Sequence, residues 1–399
     1  MLLELLTGIP ARLILTSYSL FPWPAALDYI YLRSRFLQRL FRYHISYPVP
    51  VREDLKMMEL VQQCGLQFDV HSMTTFDGYC LTLHRIVRGN SLRAQLGGAK
   101  RRKVLLFHGL MQDGESFLAG GRNSLVASLA LGANCEVWLA NARGSKYSQK
   151  HQHHGPDDAR YWNYSLDDII GDVAQIVDFV LATGSFPQQL VCIGFSQGAA
   201  QLCCAIARTP SLNDKISLLV CLAPAVQPAG LAPSLLSRIV QRYPGLLGLL
   251  FGRRQVFSSV PLWQNILSAP TFASVCVASM RFLFGWTCDQ ISTARRNQLF
   301  QHIFSPASVA LVTHWFHIIH NRRIQSMAGE PYELGGIVCP VAVFVGENDR
   351  LVVNQALARV VPNCVLYHSE AGYEHLDLIW ADSAHTEIFP KILSLVEQY

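Results

Sequence analysis

From Leu66 onward, short apolar runs alternate along the chain with longer stretches of helical period. Gln67–Thr75 and Tyr79–Ile86 alternate apolar and polar side chains around the turn pair Asp77-Gly78, which predicts an early β-hairpin. After the polar loop Ser91–Arg102, the runs Val104–Phe107, Cys135–Leu139, Gln189–Phe195, Ser217–Leu222, Val341–Val345 and Cys364–His368 are short and apolar, as buried strands are. Asn123–Leu131 and Ser165–Thr183 predict helices, the second with Ser165 and Asp168 at capping-box spacing. Strands alternating with helices predict an α/β domain with a mainly parallel central sheet flanked by helices.

Two stretches break this rhythm. Between Pro224 and about Pro331 the chain is rich in Leu, Phe, Trp and Arg at helical spacing, which predicts a helical cap inserted between two sheet strands. Residues 1–50 differ again. Leu13–Leu27 carries no Asp, Glu, Lys or Arg, is shorter than the roughly 20 residues of a spanning helix, and is broken by Pro22 and Pro24. Arg33, Arg35, Arg39 and Arg42 follow among Phe36, Leu37, Leu40 and Phe41, a basic amphipathic pattern of the interfacial kind. The expected organisation is a membrane-associating segment (1–50), the first part of the core (51–223), the cap (224–331) and the second part of the core (332–399). A cleaved signal peptide fits the start poorly, because Glu4 is its first charge and Pro10 and Arg12 interrupt it. The rival is an N-terminal arm packed on the protein's own surface.

Composition sharpens the picture. Half of the 399 residues are hydrophobic and 15% are charged, below the usual quarter, which suggests an apolar pocket, a membrane-facing surface or both. The net charge of +5 is too mild for a nucleic-acid binder and no Lys/Arg run interleaves with aromatics, whereas a basic balance suits an anionic lipid surface. The eleven cysteines are odd in number, scattered and without metal-ligand spacing, so reduced thiols in a reducing compartment are expected. No metal or organic cofactor is expected, and the oligomeric state stays open.

The chemistry centres on Gly194-Phe195-Ser196-Gln197-Gly198, directly after one buried run and before the small-residue helix Ala199–Ala205. This is G-x-S-x-G in the strand–turn–helix setting of the nucleophile elbow, and it predicts the α/β-hydrolase fold. A serine hydroxyl needs a base, and in this fold the acid and then the histidine follow in the chain. Gly346-Glu347-Asn348-Asp349 follows Val341–Val345, so Asp349 is the expected acid, with Glu347 as runner-up. His375 lies beyond the last strand and is the expected base, ahead of His368 and His385. The oxyanion of an attacked carbonyl needs donors, expected from the backbone N–H groups of Gln197 and of Leu110 in His108-Gly109-Leu110. His108 itself is read as loop scaffolding.

These residues sit in longer signatures. Thr74–Ile86, Leu105–Leu110, Val137-Trp138-Leu139-Ala140-Asn141-Ala142-Arg143-Gly144, the elbow, and His375-Leu376-Asp377-Leu378-Ile379-Trp380 resemble, in order, motifs of the acid lipase family, which includes gastric and lysosomal acid lipases and fungal steryl ester hydrolases. The hydrophobic start is most similar in layout to the membrane- or droplet-bound fungal steryl ester hydrolases. The resemblance implies hydrolysis of steryl esters or acylglycerols beneath a cap, and carries the nucleophile to Ser196, the acid to Asp349 and the base to His375. It also implies residence at the endoplasmic reticulum or a lipid droplet with the catalytic domain facing the cytosol. Phe195 stands where the family commonly has His and is expected to point away from the hydroxyl. Glu347 stands where it usually has a second glycine. Cys276 and Cys288 do not reproduce the cap disulfide of secreted members. Arg143 and Asp377 are read as structural. Trp263, Phe272, Phe282, Phe284, Trp286, Trp315 and Phe316 are candidates to line an acyl or sterol channel, with Trp263, Phe284, Trp286, Trp315 and Phe316 taken as the substrate-binding set. Two rivals share these residues: an acyltransferase passing the acyl group to another alcohol, and an inactive lipid-binding or droplet-tethering protein.

Overall fold

The computed structural model describes residues 51–89, 101–184, 189–233, 243 and 251–399; the expected membrane-associating segment 1–50 lies outside them. The chain opens with α1 (Val51–Gln63), whose Met57, Leu60 and Val61, with Cys64 just beyond it, recur at helical spacing and are buried. The hairpin follows as β1 (Leu66–Thr74) and β2 (Tyr79–Arg88), antiparallel in one continuous register. Then come β3 (Lys103–Phe107), β4 (Glu136–Ala140), β5 (Lys150–His151), α2 (Leu166–Ala182), β6 (Leu190–Phe195), α3 (Gln197–Arg208) and β7 (Ile216–Leu222). The stretch inserted between β7 and the next strand beside it in the sheet, expected as the cap and called so below, contributes β8 (Gln255–Val256), α4 (Val260–Ile266), α5 (Ala269–Phe284), α6 (Thr293–Leu299), β9 (Ala307–Ser308) and α7 (Val309–Asn321). The chain returns to the core with β10 (Val341–Gly346), β11 (Cys364–Glu370) and α8 (Phe389–Gln398).

The sheet order is β1-β2-β4-β3-β6-β7-β10-β11, with β5 pairing β2. From β4 to β11 every neighbouring pair is parallel. Its interior strands alternate between two apolar layers, as period-two side chains must. Leu105, Phe107, Cys192, Leu219, Cys221, Val341 and Val343 face the layer closed by α2 and α3. Val104, Leu106, Val191, Ile193, Leu218, Val220, Ala342 and Phe344 face the layer closed by α1 and α8.

The predicted α2 has the capping box the spacing implied, with Ser165 as N-cap and Asp168 closing it. The predicted helix over Asn123–Leu131 is instead a broken series: a 3₁₀ turn at Gly121–Asn123, a short α turn at Leu125–Ala127 and a π turn at Ser128–Gly132. Its apolar residues are buried all round rather than on one stripe, so tertiary packing sets its path. Arg143 plays the tying role read for it. Buried just beyond β4, it donates from Nε to Asp172 of α2 at 2.8 Å and from Nη1 to Asp77 of the hairpin turn at 2.6 Å. All eleven cysteines are free, Cys276 and Cys288 included.

Candidate active site

A parallel sheet delivers the loops after its strands to one edge, where α/β folds bind ligands. Four of those loops build this site. Beyond β6 the backbone turns at Ser196, with φ 53° and ψ −113°, and enters α3 at once. That left-handed φ is strained for a serine and is held because the surroundings leave no alternative. The Ser196 N–H donates to Leu222 O at 2.8 Å. The flanking glycines are forced by contact rather than by φ. A Cβ at Gly194 would overlap the backbone of Ala199, and one at Gly198 would overlap the carbonyl of Phe107.

At the end of β10, Gly346 is equally tight, because a Cβ there would overlap the carbonyl of Tyr373. Glu347 is exposed and has no left-handed φ, so the loop turns without a second glycine. The loop is pinned by Glu347 N–H to Glu370 O and by Asn348 N–H to Tyr373 O, both 2.9 Å. Asp349 is buried, and its Oδ1 accepts the Leu351 N–H at 2.9 Å. Its Oδ2 lies 2.6 Å from Nδ1 of His375, which follows β11, and His375 Nε2 lies 2.8 Å from Ser196 Oγ. Ser196, Asp349 and His375 therefore converge into one hydrogen-bonded line. Glu347 points to solvent, His368 pairs with Glu370 within β11, and His385 lies in a short helix at Ala384–Glu387.

The loop beyond β3 supplies the other side. Among the described residues neither the Leu110 nor the Gln197 N–H donates to an acceptor, and both residues border the same cavity as Ser196 and His375. The loop's shape is set by its neighbours. Gln112 Oε1 accepts the Gly109 N–H at 3.1 Å, and His108 Nε2 accepts the Ala142 N–H at 3.1 Å, the scaffolding role expected for that histidine. The cap braces it further, with Ser305 N–H on Met111 O at 2.8 Å and His302 Nδ1 2.8 Å from Glu115. Burial alone would raise the Glu115 carboxyl, but Lys146 at 2.6 Å and His302 more than offset it and hold Glu115 well below the ordinary range.

The cavity of about 300 Å³ is walled almost wholly by apolar side chains. Phe284, Trp286, Trp315 and Phe316 line it as expected, and so does Phe282. Trp263 and Phe272 do not line it. Both pack into the apolar layer shared with α1 and α8, since helical period marks an apolar face without saying what it faces. Phe251, Phe257, Met280 and Phe304 join the lining, and nothing in their spacing separated them from cap core. Trp315 also donates its Nε1–H to Gln197 Oε1 at 2.7 Å, which ties α7 to the elbow and gives that glutamine a role of its own. Phe195 does not point away from the chemistry. Its ring lies 5.2 Å from that of His375 and against Gly109.

Asp377 is structural, accepting the Glu374 N–H at 2.6 Å. Burial pushes its carboxyl up to about 7, aided by the nearby charges of Glu374 and Asp349 and opposed by that N–H. A raised carboxyl stabilises the fold below its unfolded value near 4 and loses that contribution as pH climbs through about 7. Asp377→Asn cannot titrate. In denaturant titrations from pH 4 to 8, wild-type stability is expected to fall relative to that of the variant as pH rises. A constant difference across this range would contradict the assignment.

Comparison with known proteins agrees with this architecture. A family profile described as the α/β-hydrolase fold matches residues 103–382, and one described as a partial α/β-hydrolase lipase region matches residues 57–121. A Schizosaccharomyces pombe protein named as a probable lipase is 32% identical over 90% of this chain and 85% of its own length. The gastric triacylglycerol lipase of Bos taurus is 26% identical over 86% of this chain and 91% of its own. The carboxylesterase CesB of Bacillus subtilis shares the fold with a TM-score of 0.50 at 13% identity, covering 88% of this chain and 99% of that one. The chain is a member of the α/β-hydrolase family, of the lipase and esterase group to which the gastric triacylglycerol lipases belong.

Proposed function

We propose that the protein is a serine carboxylic-ester hydrolase of large apolar lipid esters, steryl esters or triacylglycerols, and that Ser196, His375 and Asp349 are its triad. The observation that carries the reading is His375 bridging Ser196 at 2.8 Å and Asp349 at 2.6 Å on the wall of an apolar cavity. His375 takes the Ser196 proton as Oγ attacks the ester carbonyl, and the Leu110 and Gln197 amides receive the oxyanion. His375 then protonates the departing alcohol. Water, deprotonated by His375, attacks the acyl-enzyme and releases the fatty acid. The aromatic cap side chains Phe284, Trp286, Trp315 and Phe316 hold the apolar part of the ester and exclude water. Purified protein is expected to hydrolyse cholesteryl oleate or glyceryl oleates at rates well above those for acetate esters. Turnover confined to acetate esters would contradict the substrate class.

The proposal extends to location. The apolar, arginine-flanked start supports seating on an endoplasmic reticulum membrane or lipid-droplet surface with the catalytic domain in the cytosol. Among the described residues no helix is long and apolar enough to cross a membrane. Full-length protein is expected to float with liposomes and a form lacking residues 1–45 to stay at the bottom of the gradient. Equal flotation of both forms would contradict this seating.

A further inference from the structure

His375 touches more than its two hydrogen-bond partners. The Trp286 ring lies parallel to the imidazole, with centroids 5.1 Å apart and planes 9° apart. Trp286 is not a residue of the hydrolase sheet. It stands just past α5 in the cap, where Gly285 turns the chain with φ 75°, and it is buried with Phe284 stacked on it at 4.4 Å. What holds it there is the residue before the histidine. The Glu374 carboxylate accepts the N–H of Thr287 at 2.8 and 2.9 Å, the N–H of Cys288 at 2.8 Å and the Thr287 hydroxyl at 3.2 Å. Asp377 in turn fixes the Glu374 backbone. The cap segment carrying Trp286 and the loop carrying His375 are thus joined by charge-assisted bonds to two consecutive amides.

We propose that Trp286 is a positioning residue for the base, stabilising the imidazolium form of His375 in the transition state, and that Glu374 acts through it by clamping the cap segment in place. A tryptophan face carries negative electrostatic potential and attracts a cation lying within about 6 Å of its centroid. A neutral imidazole gains only ring stacking from this contact, whereas the protonated ring formed during attack gains the cation–π attraction as well. An interaction that strengthens only in the transition state acts on kcat rather than KM. The contact comes from the cap, so the base is fully supported only when the cap is seated as here. This inference rests on the reading of Ser196 as nucleophile and His375 as base.

The competing role for Trp286 is a plain cavity wall, and the two separate by substrate and by variant. Full-length wild type, Trp286→Leu, Trp286→Phe, Glu374→Ala, the Leu/Ala double variant and Ser196→Ala are compared on p-nitrophenyl acetate and p-nitrophenyl palmitate. Trp286→Leu is expected to lower kcat about five- to thirtyfold on both esters, with KM for acetate little changed and any rise in KM confined to palmitate, whose chain the cavity wall also holds. Trp286→Phe, which keeps an aromatic face, is expected to recover most of that loss. Glu374→Ala is expected to resemble Trp286→Leu, with the double variant no worse than either single one, as residues acting through one contact behave. Three outcomes would overturn the inference: a loss confined to KM for palmitate, a phenylalanine variant no better than leucine, or multiplicative losses in the double variant. Should Trp286→Leu fold poorly, Trp286→Phe against Glu374→Ala still decides. Turnover surviving in Ser196→Ala defeats the site reading itself. Ser196→Ala inert beside Trp286→Leu at wild-type kcat defeats only this inference.

Discussion

Ser196→Ala is expected to lower ester turnover by about 10⁶-fold, the scale seen when the nucleophile of a triad is removed. Among the described residues the hydroxyl is the only group that hydrogen-bonds His375 Nε2, at 2.8 Å, so none of them is placed to inherit the role. Alanine fits the same backbone space, and the tight contacts at Gly194 and Gly198 are untouched. The left-handed φ of 53° remains the strained feature, so the variant is expected to fold as the wild type does. Circular dichroism and thermal melting check that, and hydrolysis of glyceryl oleate reads the loss. Turnover within tenfold of wild type would place the nucleophile elsewhere.

Asp349→Asn is the second large effect, a loss of about 10⁴-fold in kcat. Asp349 Oδ2 accepts from His375 Nδ1 at 2.6 Å, which leaves Nε2 free to take the serine proton, and its negative charge favours the imidazolium that results. An asparagine can present its amide N–H to Nδ1 instead, which puts the imidazole in the wrong tautomer for the reaction. Its carbonyl can still take the Leu351 N–H that Oδ1 now accepts, so the loop is expected to persist. Glu347 is exposed and cannot substitute without rebuilding a loop tied to Glu370 and Tyr373. A near-normal rate in Asp349→Asn with complete loss in a Glu347 variant would reverse the assignment.

The convergence of Ser196, Asp349 and His375 was legible in the chain because each follows its own buried apolar run, and a parallel sheet brings the ends of such runs to one edge. Spacing alone left Glu347 open beside Asp349. In the fold Asp349 is buried against His375 and Glu347 is exposed, an arrangement that depends on the close approach of Gly346 to Tyr373 across the two loops. The capping box of α2 was legible because a cap is a local bond. The broken turns over 121–132 were not, because they answer to neighbours on all sides. The helix α1 has apolar positions at helical spacing, yet it lies ahead of the first strand, outside the alternation of strands and helices that marks the core. The cap was legible as helical but not in its aromatic contacts. Trp263 and Trp286 look alike in sequence, yet Trp263 is half-buried against the apolar layer and off the cavity, whereas Trp286 is buried and lies on the histidine. Phe195 was misplaced for a related reason: an elbow side chain has a direction that depends on the loops crossing above it.

The proposed hydrolysis requires a covalent acyl intermediate on Ser196. Wild-type protein treated with a fluorophosphonate, digested and sequenced by mass spectrometry tests it most directly. A single adduct is expected on the peptide containing Ser196, formed in step with the loss of esterase activity and absent from His375→Ala. Full inactivation with the adduct on another residue, or undiminished ester hydrolysis by protein fully modified at Ser196, would contradict it.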